Sequence, residues 1–326
     1  MPGKAKRTLL FVAVTLLAVM CLLPIYDVQE LSNFSSERLD KLYRIKGPLS
    51  GVDDWLVKYM NKTHLFPPST EPYNLSKDVS YSLNARGDTW SYIHRFLRKM
   101  FIDEPPGFFL EAGALDGEFL SNTLWLERTL GWTGLLIEPD MQSFRLLQRK
   151  HRKAWTSNAC ISKENYPVES YFVNLKSRDN MHDPWWYRMY YPANSHLFGT
   201  NITPDNITEY LPATEHYSLV QCFPLITFVQ ALGVKKIDFL SLDLQGNEKL
   251  IIRNFPWSAV KVRVVIIEDQ THKLDNDFIE FMKKSNYQLI NGNDLPRSQD
   301  HVYINKDEID LLEKFTSMKN DVTKLT

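Results

Sequence analysis

The sequence predicts an α/β domain with a mostly parallel sheet, preceded by an N-terminal membrane anchor and a polar stem. From residue 90 onward, short apolar runs alternate with segments of helical periodicity, which is the pattern of βαβ units. Several of these runs are continuously apolar, as in strands that are buried on both faces of a sheet. Near the N-terminus, one uncharged apolar run covers residues 8–26 and has the length of a membrane-spanning helix.

The predicted elements follow one another in a regular order. The domain starts with an amphipathic helix at Trp90, whose apolar side chains recur at helical spacing. Strands are predicted in the apolar runs at residues 108–113, 134–139, 155–162, 236–246 and 261–269. Helices are predicted from apolar side chains at helical spacing at residues 119–130, 140–151, 226–234, 247–255 and 274–286. Two short antiparallel edge strands are expected at residues 287–291 and 301–305.

Local signals mark several helix ends, and one insert breaks the alternation. Asp140 is a good N-cap for the helix that follows it, and Gly131 and Gly233 are placed to end two others. Residues 163–225 form an insert that we expect to be irregular. Its aromatic-rich stretch at residues 184–191 is compatible with a lid over a binding site, and equally with a small core of the insert itself.

The apolar run and its flanks predict a membrane topology. Lys4, Lys6 and Arg7 precede the run and Asp27 and Glu30 follow it, which places the N-terminus in the cytosol. A cleaved signal peptide is the alternative, but its apolar region is usually shorter and no clear small-residue cleavage site follows. We therefore expect a type II membrane protein with a cytosolic tail, an anchor, a lumenal stem and an α/β domain at residues 1–7, 8–26, 27–89 and 90–326.

Sequons and cysteines fit a lumenal domain. The sequence has five N-x-[ST] sequons, at Asn33, Asn61, Asn74, Asn201 and Asn206. With this topology they are glycan acceptors, and their chance occurrence is the alternative. Cys160 and Cys222 are the only cysteines beyond the anchor, and an oxidising compartment permits a disulfide between them. Spacing alone leaves that bridge open.

Composition excludes several classes of protein and site. The chain has 38 Lys and Arg against 39 Asp and Glu, so it lacks the strongly basic character of a nucleic-acid-binding protein. Its eight His show no metal-binding spacing such as H-E-x-x-H, and we expect no metal site. Three Cys are too few for a disulfide-dense scaffold or a multi-cysteine zinc ribbon.

A first group of candidate binding residues follows the first predicted strand. Glu111, Gly113, Asp116 and Gly117 form the pattern E-x-G-x-x-D-G, which differs from the dinucleotide fingerprint G-x-G-x-x-G. Small residues at such a turn let backbone N–H groups approach a ligand, and the carboxylates can accept hydrogen bonds from an amino-acid-like cation. A purely structural glycine turn is the alternative.

Two further acids lie at the ends of predicted strands. Glu138 ends the second strand, where an acidic residue can bind ribose hydroxyls, and Asp243 lies at the end of the fourth. Because the carboxyl ends of parallel strands share one edge of a sheet, we expect both carboxylates to face the same crevice. Taken singly, Glu138 is also explained as a solvated strand end and Asp243 as a helix cap.

The chain resembles the FkbM-type family of S-adenosylmethionine-dependent methyltransferases in four segments: FLEAGALDGEFLSNTLWLER, GLLIEPD, NACIS and IDFLSLDLQGNE. The resemblance covers residues 107–290 without most of the insert. Within this family, the segments after the first and second strands are most similar to the Star-like branch, which consists of type II membrane proteins with a lumenal domain.

The resemblance implies a fold, a cofactor and a set of site residues. The fold is the Rossmann-like class I methyltransferase fold, a mostly parallel seven-stranded sheet flanked by helices. S-adenosylmethionine would be bound by Glu111, Gly113, Asp116, Gly117, Ser121, Asn122, Glu138 and Asn158. Glu138 would bind the ribose, and Asn158 would lie near the adenine. Asp243 matches the acid of the family motif D-x-E-G-x-E and is the candidate catalytic residue, but Gln245 replaces a glutamate of that motif.

Two functions remain open. The Star-like resemblance implies a secretory-pathway factor that acts in endoplasmic reticulum-to-Golgi or endosomal trafficking of growth-factor precursors. The alternative is an active S-adenosylmethionine-dependent O-methyltransferase that acts on a hydroxyl of a glycan or small molecule. Either function predicts a lumenal domain anchored in endoplasmic reticulum or Golgi membranes, and endosomes and the plasma membrane are further expected locations. The expected partners are the membrane and secretory cargo, without nucleic acid or metal.

Overall fold

The computed structural model describes residues 45–76, 88–177, 185–200, 213–269, 275–290 and 300–322. A compact unit that contains the α/β domain begins at Lys46. The predicted tail and anchor, and the sequons at Asn33, Asn201 and Asn206, lie outside the described residues. Within the described ranges, no helix has both the length and the apolar character needed to cross a membrane.

The described residues form strands and helices that are numbered here along the chain. The strands are β1 (Phe108–Ala112), β2 (Thr133–Ile137), β3 (Trp155–Ser157), β4 (Cys160–Ile161), β5 (Val168–Ser177), β6 (His196–Leu197), β7 (Ala213–Phe223), β8 (Lys236–Leu242), β9 (Lys261–Glu268), β10 (Tyr287–Leu289) and β11 (Asp300–Asn305). The helices are α1 (Asp54–Thr63), α2 (Asp88–Phe101), α3 (Leu124–Leu130), α4 (Met141–Arg149), α5 (Trp185–Ala193), α6 (Leu225–Ala231), α7 (Glu248–Arg253), α8 (Asn276–Lys284) and α9 (Ile309–Val322).

A seven-stranded sheet forms the centre of the domain, in the order β10-β11-β9-β8-β1-β2-β3. β11 is antiparallel to both of its neighbours, whereas the pairs from β9 through β3 are parallel. The fold is therefore mixed α/β with one reversed strand, consistent with a methyltransferase-like fold. Of the two predicted edge strands, β10 lies at the edge, but β11 lies inside the sheet, where it pairs with both β9 and β10 and its apolar side chains are buried.

The chain leaves the middle of this sheet in two directions, which creates a switch point. From β1 it continues to β2 and β3 on one side, and the later strands β8 and β9 lie on the other. β1 and β8 bury Phe109, Leu110 and Leu240 in the sheet, as expected for parallel strands covered on both faces. In open α/β sheets, ligands bind outside the carboxyl ends of the strands at such a switch point.

The predicted third strand is two strands in the structure. β3 belongs to the central sheet and β4 to a second sheet, so the prediction of one continuous strand at residues 155–162 is wrong. Asn158 and Ala159 lie between them. The break follows the polar residue Ser157 in the middle of the run, and each half belongs to a different sheet.

The insert is more regular than the sequence predicts. It forms a four-stranded sheet in the order β4-β7-β5-β6, in which the long strands β5 and β7 are antiparallel. Cys160 of β4 and Cys222 of β7 are direct neighbours across these strands and form a disulfide, with their Cα atoms 4.2 Å apart. The disulfide therefore joins the point where the chain enters the insert to the point where it leaves.

Residues predicted as the last part of the stem pack against the α/β domain. α1 buries Leu56 and Met60, and Phe66 pairs with Thr156 of β3. The Tyr73 hydroxyl donates a hydrogen bond of 2.9 Å to Glu127 of α3. The packed domain thus begins before residue 90. The sequence does not show this, because polar composition does not reveal which segments are held by tertiary contacts.

Helix ends and one whole helix differ from the prediction. Asp140 caps α4 by accepting the N–H of Ser143, as predicted. α3 begins only at Leu124, because the preceding residues form a loop tied to the end of β1. The C-terminal helix α9 has no counterpart in the prediction and packs against α2, with the Phe96 and Phe315 rings 6.4 Å apart.

Candidate functional site

A cleft opens at the carboxyl ends of β1, β2 and β8, at the switch point, and the space in it that a water molecule can occupy is about 70 Å³. The central sheet and its loops supply polar lining residues: Glu111, Gly113, Asn122, Glu138, Ser241 and Asp243. The residues around β4–β6 supply mainly apolar ones: Ile161, Phe172, Pro192, Ala193 and Leu197.

Gly113 forms the floor of the cleft where β1 ends. Its φ is +85°, a conformation that only glycine adopts without strain. A Cβ atom at this position would overlap the backbone carbonyl oxygen of Asp243, which follows the neighbouring strand β8. The Gly113 and Ala114 N–H groups both donate to the carbonyl of Ile137, at 3.1 Å. The turn therefore brings the ends of β1, β2 and β8 into close contact.

Asp116 and Gly117 support this turn from behind and do not line the cleft. The Asp116 carboxylate accepts the N–H groups of Glu118 and Phe119, at 2.9 and 2.7 Å, and pairs with Lys150 at 3.3 Å. Gly117 has φ +74° and accepts a hydrogen bond from Arg152 through its carbonyl. The sequence predicts that Asp116 contacts an amino-acid cation. In the structure, however, both of its carboxylate oxygens have partners within the chain, and the residue caps the loop.

Glu111 holds the loop before α3 in place. One carboxylate oxygen accepts the N–H of Asn122 at 2.8 Å, and the other accepts the hydroxyls of Ser121 and Thr123 at 2.8 and 2.5 Å. Burial raises the pKa of Glu111, while Arg152 and these hydrogen bonds act against that rise. Glu111 thus reaches the cleft wall, but its hydrogen-bonding capacity is largely used by the chain itself.

Asn122 lines the cleft and has a buried side-chain acceptor. Its side-chain amide donates to the Ser241 hydroxyl at 3.0 Å, which fixes the orientation of the group. Its Oδ1 atom is buried without a hydrogen-bond partner among the described residues. A buried acceptor without a partner costs free energy, so a ligand with a donor at this point would relieve the cost.

Glu138 ends β2 and is buried at the opposite wall of the cleft. Its two oxygens accept the N–H groups of Leu115 and Asp140, both at 2.8 Å. The pKa of Glu138 is raised to about 8, mainly by burial and also by the charges of Asp140 and Asp243, while the two hydrogen bonds lower it. Asn158 lies outside the cleft and donates to the carbonyls of Glu138 and Pro139, so it positions this loop.

A group of carboxyls surrounds Asp243 on the β8 side. Asp243 is exposed, and the buried amide of Gln245 donates both to its Oδ1 at 2.8 Å and to Glu268 Oε2 at 2.9 Å. Burial raises the pKa of Glu268 well above its usual value, and Asp243 raises it further. Burial raises the pKa of both Glu248 and Asp300 to about 7, and Asp243 contributes to each rise.

These carboxyls do not form a metal site. Among the residues that the structure describes, no group of His, Cys, Asp and Glu could hold a metal ion. The amide of Gln245 bridges Asp243 and Glu268 instead, and Glu248 accepts the N–H groups of Leu244 and Gly246. The neutral Gln245 fits between two carboxyls, where a charged glutamate would repel both.

The aromatic-rich stretch of the insert contacts the cleft. Met189 of α5 is buried against Leu115 and Phe119 in the loop after β1. Pro192 and Ala193, at the end of the same helix, line the cleft directly. The position of α5 therefore favours the interpretation as a cover for the binding site over that of a separate core.

The structure brings some of the predicted residues together and separates others from the cleft. Glu111, Gly113, Asn122, Glu138 and Asp243 line it, whereas the remaining predicted residues, Asp116, Gly117, Ser121 and Asn158, support its walls. The sequence did not identify Ser241, Asn247, Glu268 or Asp300. For Glu268 a signal exists, since it ends the buried strand β9 at the same edge as Asp243.

Comparison with known proteins identifies one family. A family model described as Methyltransferase FkbM domain matches residues 111–289, which include the cleft residues of the central sheet and the insert. Neither the curated proteins nor the solved structures gave a significant match.

Proposed function

Because this chain belongs to the FkbM methyltransferase domain family, we propose that its cleft binds S-adenosylmethionine and that the domain methylates an acceptor hydroxyl. The single observation that carries this proposal is Oδ1 of Asn122, a buried acceptor that has no partner among the described residues and belongs to a residue that lines the cleft. The cofactor has an ammonium group that can donate to such an acceptor. Gly113 lines the same cleft at the point where the ends of β1 and β8 meet.

Each wall of the cleft has a distinct part in the proposed reaction. Asn122 and the turn at Gly113 hold the amino-acid end of the cofactor, and Glu138 accepts hydrogen bonds from ribose hydroxyls. Asp243 is the exposed carboxylate at the far wall, where it can orient the acceptor and take up its proton. When bound, S-adenosylmethionine supplies a methyl group on a positively charged sulfur. The chain mainly has to align the acceptor with that methyl group.

Calorimetric titration of the full chain in detergent with S-adenosylmethionine tests this proposal. We expect saturable binding that Asn122→Leu weakens about tenfold or more, a loss of about 1.4 kcal/mol or more, because this change removes the free acceptor. The matched control is Asn276→Leu on α8, where the side chain is exposed and does not line the cleft. If the unaltered chain gives no binding heat at millimolar cofactor, the proposal is wrong.

A second function is favoured by an exposed aromatic surface on the insert. Tyr171, Phe198 and Tyr217 are 58%, 65% and 57% exposed on the second sheet, and the rings of the latter two lie 6.5 Å apart. Exposed apolar patches often mark interaction sites. Together with the Star-like resemblance, this surface supports binding of growth-factor precursors during trafficking between the endoplasmic reticulum, the Golgi and endosomes.

A lumenal, membrane-anchored location is part of this second proposal. The apolar run at residues 8–26 would be the anchor. The disulfide between Cys160 and Cys222 supports an oxidising compartment, because such bonds are rare in the cytosol. The sequon residues Asn61 and Asn74 are exposed, as glycan acceptors have to be.

Co-precipitation of a tagged growth-factor precursor with the full chain tests the trafficking proposal. We expect the triple change Tyr171→Ser, Phe198→Ser and Tyr217→Ser to abolish capture. Trp55→Ser is the control, since this aromatic side chain is 55% exposed but lies on α1. Capture that survives the triple change would exclude this surface. In the same samples, a band that endoglycosidase does not shift would contradict the lumenal location.

A further inference from the structure

The carboxyl side chains behind Asp243 form a pair that the proposed function does not yet use. Asp243 is exposed at the cleft, while Glu268 is a half-buried residue at the end of β9. One amide nitrogen, Nε2 of Gln245, donates to both, at 2.8 and 2.9 Å. An amide nitrogen carries two hydrogens, so it can serve one oxygen of each carboxyl at the same time.

The surroundings of this pair are acidic. Asp300 is the direct neighbour of Glu268 on β11, and Glu248 faces the pair from α7. Glu138 faces Asp243 from β2. Lys249, also on α7, pairs with Asp269 and Asp275. Two charged carboxylates this close repel each other, and one shared proton removes most of that repulsion.

We propose that Glu268 is a positioning residue that shares one proton with Asp243, and that Gln245 holds the two carboxyls together at the acceptor side of the cleft. The role in methyl transfer rests on the proposed function, but the shared proton does not. Glu268 touches no ligand in this arrangement and acts through Asp243. The replacement of a family glutamate by Gln245 then has a physical reason, since only the amide can donate to both carboxyls without protonation.

The pair would take part in the reaction as a proton acceptor of fixed orientation. Bound S-adenosylmethionine would supply the methyl group to the acceptor oxygen, and its sulfur would keep the electron pair of the carbon–sulfur bond. The hydroxyl proton passes to the charged oxygen of Asp243, while Glu268 keeps the proton it already holds. The pair then carries two protons, one of which returns to water after product release.

Carbon-13 NMR titration of the full chain labelled at glutamate carboxyls tests the shared proton. The Glu268 signal is assigned by its loss in Glu268→Gln, and we expect it to titrate well above the usual range of a glutamate. Removal of the neighbouring charge by Asp243→Asn should lower the titration midpoint of Glu268 by about one pH unit or more. An unchanged midpoint would overturn the proposal, because burial alone does not depend on Asp243.

Two further variants make the test specific. Gln245→Asn keeps a residue that tolerates the observed φ of +56°, but its shorter amide cannot reach both carboxyls, so the Glu268 midpoint should rise. Glu248→Gln is the matched control, and it should remove its own signal while it shifts the Glu268 midpoint less than Asp243→Asn does. Calorimetry with S-adenosylmethionine on the unaltered chain tests the proposed function separately. The shared proton can therefore fail its test while cofactor binding is found, and the reverse.

Discussion

Gly113→Ala is expected to destabilise the domain by at least about 3 kcal/mol and to abolish cofactor binding. Two physical causes add up at this position. The φ of +85° is strained for alanine, and the new Cβ would overlap the carbonyl oxygen of Asp243. Relief of this overlap requires the ends of β1 and β8 to separate, which also moves Asp243 away from the cleft. Urea unfolding and calorimetric titration of the same protein measure the two effects.

The control for this change is Gly131→Ala at the end of α3. Gly131 has a φ of +68°, but no atom lies within 4 Å of the position its Cβ would take. The substitution therefore introduces the backbone strain without the overlap, and a loss of about 1–2 kcal/mol is expected. Equal losses for both variants would show that the contact between β1 and β8 at Gly113 does not matter for stability.

Arg152→Met is expected to lower the free energy of unfolding by about 3–5 kcal/mol. The Arg152 side chain is fully buried and pairs with Glu127 at 3.0 Å. It also donates to Thr123 at 3.1 Å and to the carbonyl of Gly117, so it connects α3 to the turn after β1. Methionine fills a similar volume but leaves Glu127 as an uncompensated buried charge. Thermal and urea unfolding measure the loss.

A double variant separates the charge effect from packing. Glu127→Gln in the Arg152→Met background should recover part of the lost stability, because it removes the charge left without its partner. The exposed Arg145 on α4 is the control, and Arg145→Met should change stability by no more than about 0.5 kcal/mol. An Arg152→Met protein as stable as the Arg145→Met protein would contradict this account of the buried pair.

The residues of the site differed in how far sequence reasoning could place them. Glu138 and Asp243 both line the cleft, because both follow buried strands and the carboxyl ends of parallel strands meet at one edge. Asp116 belongs to the same sequence pattern as Gly113, yet its carboxylate is used by two backbone N–H groups and Lys150. A pattern indicates that polar groups cluster at a turn, but not which of them are satisfied by the chain.

The amino-acid sequence by itself determined the alternation of strands and helices, because burial on both faces of a parallel sheet requires continuous apolar runs that are visible in one dimension. It also indicated that the acids after β2 and β8, Glu138 and Asp243, lie at one edge of the sheet. Only the tertiary structure decided that the run at residues 155–162 divides between two sheets, that β11 lies inside the sheet, and that Gln245 joins Asp243 to Glu268. These features depend on contacts between residues distant in the chain, and the local periodicity of the sequence does not indicate such contacts.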